Sequence, residues 1–176
     1  MTVIAVKKTN KGFKFASDSQ VTRGKKKYAM KEFGFNNVVQ KGKIFRVNKY
    51  VLGISGCLID NAFAVELFSK KKHKKLSYEY LTIINKEIKE LIYEDFKKLP
   101  SEQSYEFVIS DGTRCFTCSD NNGVTEVLDY ESIGSGCYEA KTAISLGLDI
   151  IDAVKKSIES CLYCGGEVNT MKINKK

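Results

Sequence analysis

A chain of 176 residues with 43% hydrophobic and 28% charged residues holds enough apolar material for one packed domain, and too much for a disordered segment. No apolar run reaches the roughly 18 residues that a membrane-spanning helix needs. A net charge of +8 gathers in Lys25-Lys26-Lys27 and Lys70-Lys71-Lys72-His73-Lys74-Lys75, but no aromatic residue interrupts either run and no nucleic-acid-binding motif accompanies them, so nucleic acid is not the expected partner.

In chain order, Val3 to Lys7 is apolar and β-branched and reads as a strand; the turn residues Asn10-Lys11-Gly12 lead into a second strand, Phe13 to Ser17, so the two form a hairpin. Lys43 to Val47 and Tyr50 to Ser55 form another hairpin around Asn48-Lys49. Two helices follow. The first has Leu58, Ala62, Val65 and Phe68 on one face. The second is capped by Ser77, carries Leu81, Ile84, Ile88, Leu91, Ile92 and Leu99 at helical spacing, has a favourable Glu94–Lys98 pair, and stops at Pro100, the only proline. Strands return at Tyr105 to Ser110, Arg114 to Cys118 and Val124 to Leu128. Ser132-Ile133-Gly134-Ser135-Gly136 leads into a helix over Tyr138 to Leu146, Asp149 caps a further helix to about Cys161, and Glu167 to Ile173 is a last strand. The first strand is apolar on both faces and is therefore covered on both. A sheet packed against a second sheet, with helices outside, meets that demand: the expected class is α+β, a four-layer αββα sandwich formed by one domain over residues 1–176.

The six cysteines include Cys115-Phe-Thr-Cys118 and Cys161-Leu-Tyr-Cys164. Their separation is too wide for a zinc ribbon, and Cys115 and Cys118 fall in a predicted strand, where i and i+3 point to opposite faces. Ordinary thiols are the expectation. The start of the chain, Met1-Thr2-Val3-Ile4-Ala5-Val6-Lys7-Lys8, lacks a secretion-signal pattern, and the expected location is the reducing cytoplasm.

The only histidine, His73, lies within a lysine run, which argues against Ser-His or Cys-His catalysis. An α-amino group titrates near neutrality, with a reference pKa of about 7.7–8.0, and an N-terminal threonine carries that base beside its own hydroxyl nucleophile. Met1-Thr2 offers this once Met1 is trimmed. The first hairpin places residue 2 opposite position 18 or 19, about 5 Å away, so Asp18 falls beside the chain start.

Thr2-Val-Ile-Ala-Val, Ala16-Ser17-Asp18-Ser19-Gln20-Val21-Thr22, Lys43-Ile44-Phe45-Arg46-Val47 followed by Gly53-Ile54-Ser55-Gly56, the Ser132–Gly136 segment and Cys161-Leu-Tyr-Cys164 together resemble the proteasome β-type and HslV-like threonine peptidases of the Ntn-hydrolase superfamily, over nearly the whole chain. The resemblance implies that Thr2 attacks the scissile carbonyl, with its amine as base; that Asp18 pairs with Lys43, with Lys41 as the alternative lysine; that the Gly53 N–H helps form the oxyanion hole; that Ser135 bonds the Thr2 amine; and that Thr22 by backbone and Ile54 by side chain line the substrate groove. It implies no required cofactor beyond a structural monovalent cation such as Na+, on the backbone carbonyls of Ile158, Cys161 and Cys164. Cys164 departs from the pattern, which has serine or threonine there, and residues 23–42 match poorly.

The implied activity is a threonine-type endopeptidase in hexameric or heptameric stacked rings of this chain, acting on polypeptides fed by a separate AAA+ unfoldase such as HslU, since no GxxxxGK[ST] motif is present. Three other functions remain open on the sequence: a catalytically silent ring or scaffold protein, an amidohydrolase of the same superfamily acting on a small molecule, and, last, a basic nucleic-acid-binding module.

Overall fold

The computed structural model describes residues 2–23, 26–29, 38–56, 58–71, 74–95, 105–121 and 123–175. Its elements run β1 (Ile4–Thr9), β2 (Gly12–Ser17), β3 (Gln20–Arg23), β4 (Lys26–Ala29), β5 (Val38–Lys41), β6 (Ile44–Val47), β7 (Tyr50–Gly56), α1 (Leu58–Lys70), α2 (Tyr78–Asp95), β8 (Tyr105–Ser110), β9 (Cys115–Ser119), β10 (Gly123–Glu126), β11 (Tyr130–Ile133), α3 (Cys137–Ser145), α4 (Ile150–Ser160) and β12 (Asn169–Asn174). A four-stranded sheet has the order β11-β1-β2-β12, a six-stranded sheet the order β10-β9-β8-β7-β6-β5, and β3 pairs with β4; every pairing is antiparallel.

Strand alternation sorts the apolar residues into three layers. In β1, Ile4 and Val6 face the second sheet, and together with Phe13 and Phe15 of β2 they meet Ile44, Val51, Val108 and Cys115 across the layer. Ala5, with the preceding Val3, turns the other way, onto Ala140, Ile144, Ile150, Ala153 and Val154 of α3 and α4. On the far side of the six-stranded sheet, Phe45, Leu52, Ile54 and Phe107 pack under Val65 and Phe68 of α1 and Leu81, Ile84 and Ile88 of α2. The order is helices, sheet, sheet, helices: the αββα sandwich. Burial of each large side chain contributes about 1.5–3 kcal/mol, and Phe15, Phe45 and Phe107 are fully inaccessible.

The starts of α2 and α4 follow the capping rule. The Tyr80 N–H donates to Ser77 Oγ at 3.2 Å, and the Ile151 N–H to Asp149 Oδ2 at 3.3 Å. Cys115 faces the inter-sheet core and Cys118 the helical one, opposite faces of β9 as their spacing requires. β3, β4, β5 and β11 were not expected from the sequence. Leu99, Pro100, Lys98 of the Glu94–Lys98 pair and His73 lie outside the described residues. Among the described residues no helix is long and apolar enough to cross a membrane.

Candidate active site

The site forms where the start of β1 and the end of β2 meet the turn between β5 and β6. Asp18 follows β2 directly. Its backbone N–H donates to the Val3 carbonyl at 3.2 Å, and its Oδ1 accepts the Val3 N–H at 3.0 Å. The first hairpin thus closes on its own carboxylate, one residue from Thr2. Oδ2 accepts the Gly165 N–H at 3.2 Å, and Lys43 Nζ donates to Oδ1 at 2.7 Å. Asp18 is 0% and the Lys43 side chain 2% exposed.

Two opposite charges taken out of water are stable only when paired and further hydrogen-bonded, because desolvation costs several kcal/mol per ion. Asp18 meets that condition with one ammonium and two backbone donors. Burial holds the Lys43 ammonium below the usual lysine range; the neighbouring Asp18 carboxylate opposes the shift. Of the two lysines, Lys43 is the one that reaches Asp18: Lys41 is an exposed residue of the edge strand β5, whereas Lys43 turns inward.

Thr2 is 4% exposed. Continuing the Ile4↔Ser17 register places it opposite Ser19, and alternation turns its side chain to the face that Ile4 shares with the second sheet. Its carbonyl accepts the Gly136 N–H at 3.2 Å. Gly134 lies against the same carbonyl: a Cβ there would fall 2.4 Å from Thr2 O and 2.8 Å from Ser55 Oγ. The Gly134 N–H donates to Glu106 Oε2 at 3.0 Å. Ser135, between these two glycines, is on the loop that touches the Thr2 backbone, and it is exposed.

Two expected roles do not survive. Gly53 was expected to donate to an oxyanion, but it stands in mid-strand, paired with Ile44 on β6 and Val108 on β8. Successive residues of a strand send their N–H groups to opposite sides. The Ile54 N–H goes to the Lys43 carbonyl at 3.0 Å, so the Gly53 N–H points into β8. Gly53 instead lets the sheets approach, because a Cβ there would lie 2.8 Å from Ile4 Cγ2. Ile54 was expected to line the groove, but its side chain is 1% exposed and packs with α1 and α2. The same alternation explains both errors: Ser55, not Ile54, shares the Thr2 side of β7. Gly56, two residues beyond Ile54, sends its N–H to the side of Ile54's, past the end of β6, and it is exposed next to Ser55.

Thr22 lies in β3 opposite Lys27, on the strand that leaves Asp18; its side chain is outside the described set. After α4, the Cys164 N–H donates to the Cys161 carbonyl at 3.2 Å, and Gln20 Nε2 to the Tyr163 carbonyl at 3.3 Å. Cys164 backs onto Gly136 beside Ser157, whose hydroxyl donates to the Gly136 carbonyl at 2.7 Å. A cation on the Ile158, Cys161 and Cys164 carbonyls would share the Cys161 oxygen with the turn's own hydrogen bond. Such carbonyls suit a hard cation.

Sequence reasoning missed Glu106, Ser55, Gly56 and Gly165. Glu106 left a signal: it is the one charge in the apolar strand Tyr105–Ser110. Burial raises its carboxyl pKa, and the Gly134 N–H works against that.

No family model matches the chain, and neither does any curated protein. Solved structures do. BPH of Thiobacillus denitrificans in complex with epoxomicin superposes with a TM-score of 0.76 at 17% identity, over 99% of this chain and 100% of that one. Anbu, an ancestral β-subunit from Yersinia bercovieri, gives 0.67 at 17% identity over 97% and 80%. Eukaryotic HslV from Trypanosoma brucei gives 0.61 at 16% identity over 97% and 98%. The fold is that of the proteasome-like Ntn hydrolases.

Proposed function

We propose that this chain, built on the proteasome-like fold, is a threonine-type endopeptidase whose nucleophile is the Thr2 hydroxyl. The observation that carries the reading is the buried Asp18–Lys43 pair at 2.7 Å, clamped to the Val3 N–H next to Thr2. A chain that begins at Thr2 presents an amine and a hydroxyl on one residue. The amine accepts the hydroxyl proton as Oγ1 attacks the carbonyl, and later returns a proton to the leaving amine. The Lys43 charge lowers the proton affinity of that centre, and Asp18 fixes where the charge sits. Gly56 takes the oxyanion role first expected of Gly53, and one such donor is worth about 2.7–4 kcal/mol. Ser135 and Thr22 keep their expected parts, bonding the Thr2 amine and aligning substrate by backbone. A Na+ on the Ile158, Cys161 and Cys164 carbonyls would brace the turn behind Asp18 and take part in no step.

Assembly into rings and feeding by an unfoldase belong to the same reading. Leu128, Tyr138, Leu146 and Leu162 are large apolar side chains left largely exposed, as in a subunit with surfaces to cover.

The test is intact mass of the assembled protein with and without epoxomicin, the compound bound in the Thiobacillus denitrificans BPH structure. Loss of Met1 and one adduct on Thr2, absent in Thr2→Ala, supports the mechanism. Retained Met1, or equal labelling of both proteins, refutes it. The rival reading, a silent ring protein, draws on Gly53 being spent within the ladder, and it predicts no adduct on either protein.

A further inference from the structure

The two Cys-x-x-Cys pairs have opposite geometries. In β9, Cys115 and Cys118 project into different cores and cannot meet. After α4, Cys161-Leu-Tyr-Cys164 is a turn closed by the Cys164 N–H on the Cys161 carbonyl at 3.2 Å. Such a turn brings its first and last Cα within about 7 Å, and a disulfide needs about 4.4–6.8 Å. The two side chains lie in the same buried cluster beneath the turn. The turn lies at the surface, with Leu162 82% and Tyr163 50% exposed, so the thiols sit one layer below solvent. Its inner end is the site itself. Cys164 feels the charges of Asp18 and Lys43, its sulfur packs against Gly136, and the next residue, Gly165, donates to Asp18.

We propose that Cys161 and Cys164 form a reversible intrachain disulfide whose closure perturbs the Asp18–Lys43 pair. The co-reactant is a peroxide. The Cys161 sulfur attacks one peroxide oxygen, breaking the O–O bond and giving a sulfenic acid and water. The Cys164 sulfur then attacks that sulfur, the S–O bond breaks, and a second water leaves. Two thiols are oxidised by two electrons and hydrogen peroxide is reduced to two waters. Cys161 reacts first because it is the more exposed, at 9% against 4%. Cys164 resolves, since it is the deeper of the two, with its sulfur packed against Gly136 away from solvent. Closure brings the two sulfurs to about 2.0 Å, so the Cys164 sulfur must withdraw from Gly136 and drag on Gly165.

The disulfide stands apart from the peptidase reading; only its effect on Thr2 rests on it. Assembled protein is titrated with hydrogen peroxide, unfolded in alkylating reagent and mapped by peptide mass. The expected product is a Cys161–Cys164 disulfide, reversed by dithiothreitol, with Cys115 and Cys118 alkylated. Both thiols alkylated, or either found only as sulfinic or sulfonic acid, overturns the site. Epoxomicin labelling is followed on the same samples. A fall of roughly tenfold or more on oxidation is expected, since a displacement near 1 Å can cost about 100-fold, and Cys161→Ser should abolish that fall relative to its own reduced state. A disulfide with unchanged labelling, or an equal fall in Cys161→Ser, overturns the coupling. No labelling even of reduced wild type, with the disulfide present, refutes the peptidase reading and leaves the site intact.

Discussion

Lys43→Ala isolates the energetics on which the site depends. It removes the ammonium from an Asp18 carboxylate that is 0% exposed and leaves it only the Val3 and Gly165 N–H groups. Breaking a buried pair from one side costs about 3–5 kcal/mol. The two remaining donors place this case near the lower end, about 3 kcal/mol, which is more than 100-fold in the folding equilibrium at about 1.4 kcal/mol per tenfold. Lys14→Ala is the control. Lys14 bonds Asp149 at 2.8 Å with side-chain exposures of 19% and 51%, and exposed pairs contribute about 0–1 kcal/mol. Urea denaturation of both variants at one fixed protein concentration, which matters for any subunit that assembles, reads the difference. Adding Asp18→Asn should recover part of the Lys43→Ala loss, because an amide keeps acceptor capacity for the backbone N–H groups without a stranded charge. If Lys43→Ala costs no more than Lys14→Ala, the pair is not the buried ion pair the geometry describes, and the electrostatic role given to it falls.

Three further outcomes are expected. Gly53→Ala, with its new methyl 2.8 Å from Ile4 Cγ2, should destabilise by about 1–3 kcal/mol; Gly56→Ala, at φ 91° on an exposed strand end, should cost less stability but slow epoxomicin labelling more, and the reverse pattern in melting and labelling would restore Gly53 as the donor. Glu106→Gln should flatten the stability-versus-pH curve: the folded carboxyl pKa is raised by burial, so wild type holds extra stability below the unfolded pKa and loses it as pH rises through the folded value, a decline that denaturation from about pH 4 upward would show. Ser157→Ala deletes a buried donor to the Gly136 carbonyl at 2.7 Å and should cost about 1–3 kcal/mol by thermal or urea melting, with slower Thr2 labelling because Gly136 holds the Thr2 carbonyl.

The strands and helices with strong periodicity were readable in the sequence. The apolar run at Val3–Val6, the Asn-Lys-Gly turn and the caps Ser77 and Asp149 each have a local cause that tertiary contact did not override. β11 was not readable, because Tyr130–Ile133 is short and mixed in polarity and becomes a strand only by pairing with β1. Asp18 was legible since a hairpin register is local, whereas Lys43 was preferred to Lys41 from the resemblance alone, because its contact with Asp18 spans two sheets whose packing no local pattern reveals. The glycine error has the same origin. Gly53 and Gly56 both end apolar stretches on paper, but which N–H lies within a ladder depends on β8, more than forty residues away in the chain. Glu106 and Gly165 reach the site by that kind of distant pairing and left at most a single out-of-place charge as a trace.

The acid and the lysine of the central pair belong to different sheets: Asp18 follows β2 of the four-stranded one, and Lys43 precedes β6 of the six-stranded one. Neither half of the sandwich holds the pair alone, so their salt bridge exists only after Ile4, Phe15, Ile44 and Val108 have come together. On the proposed peptidase reading, a newly made chain would therefore stay chemically inert until its two sheets had packed, and the fold itself would guard other nascent polypeptides from it.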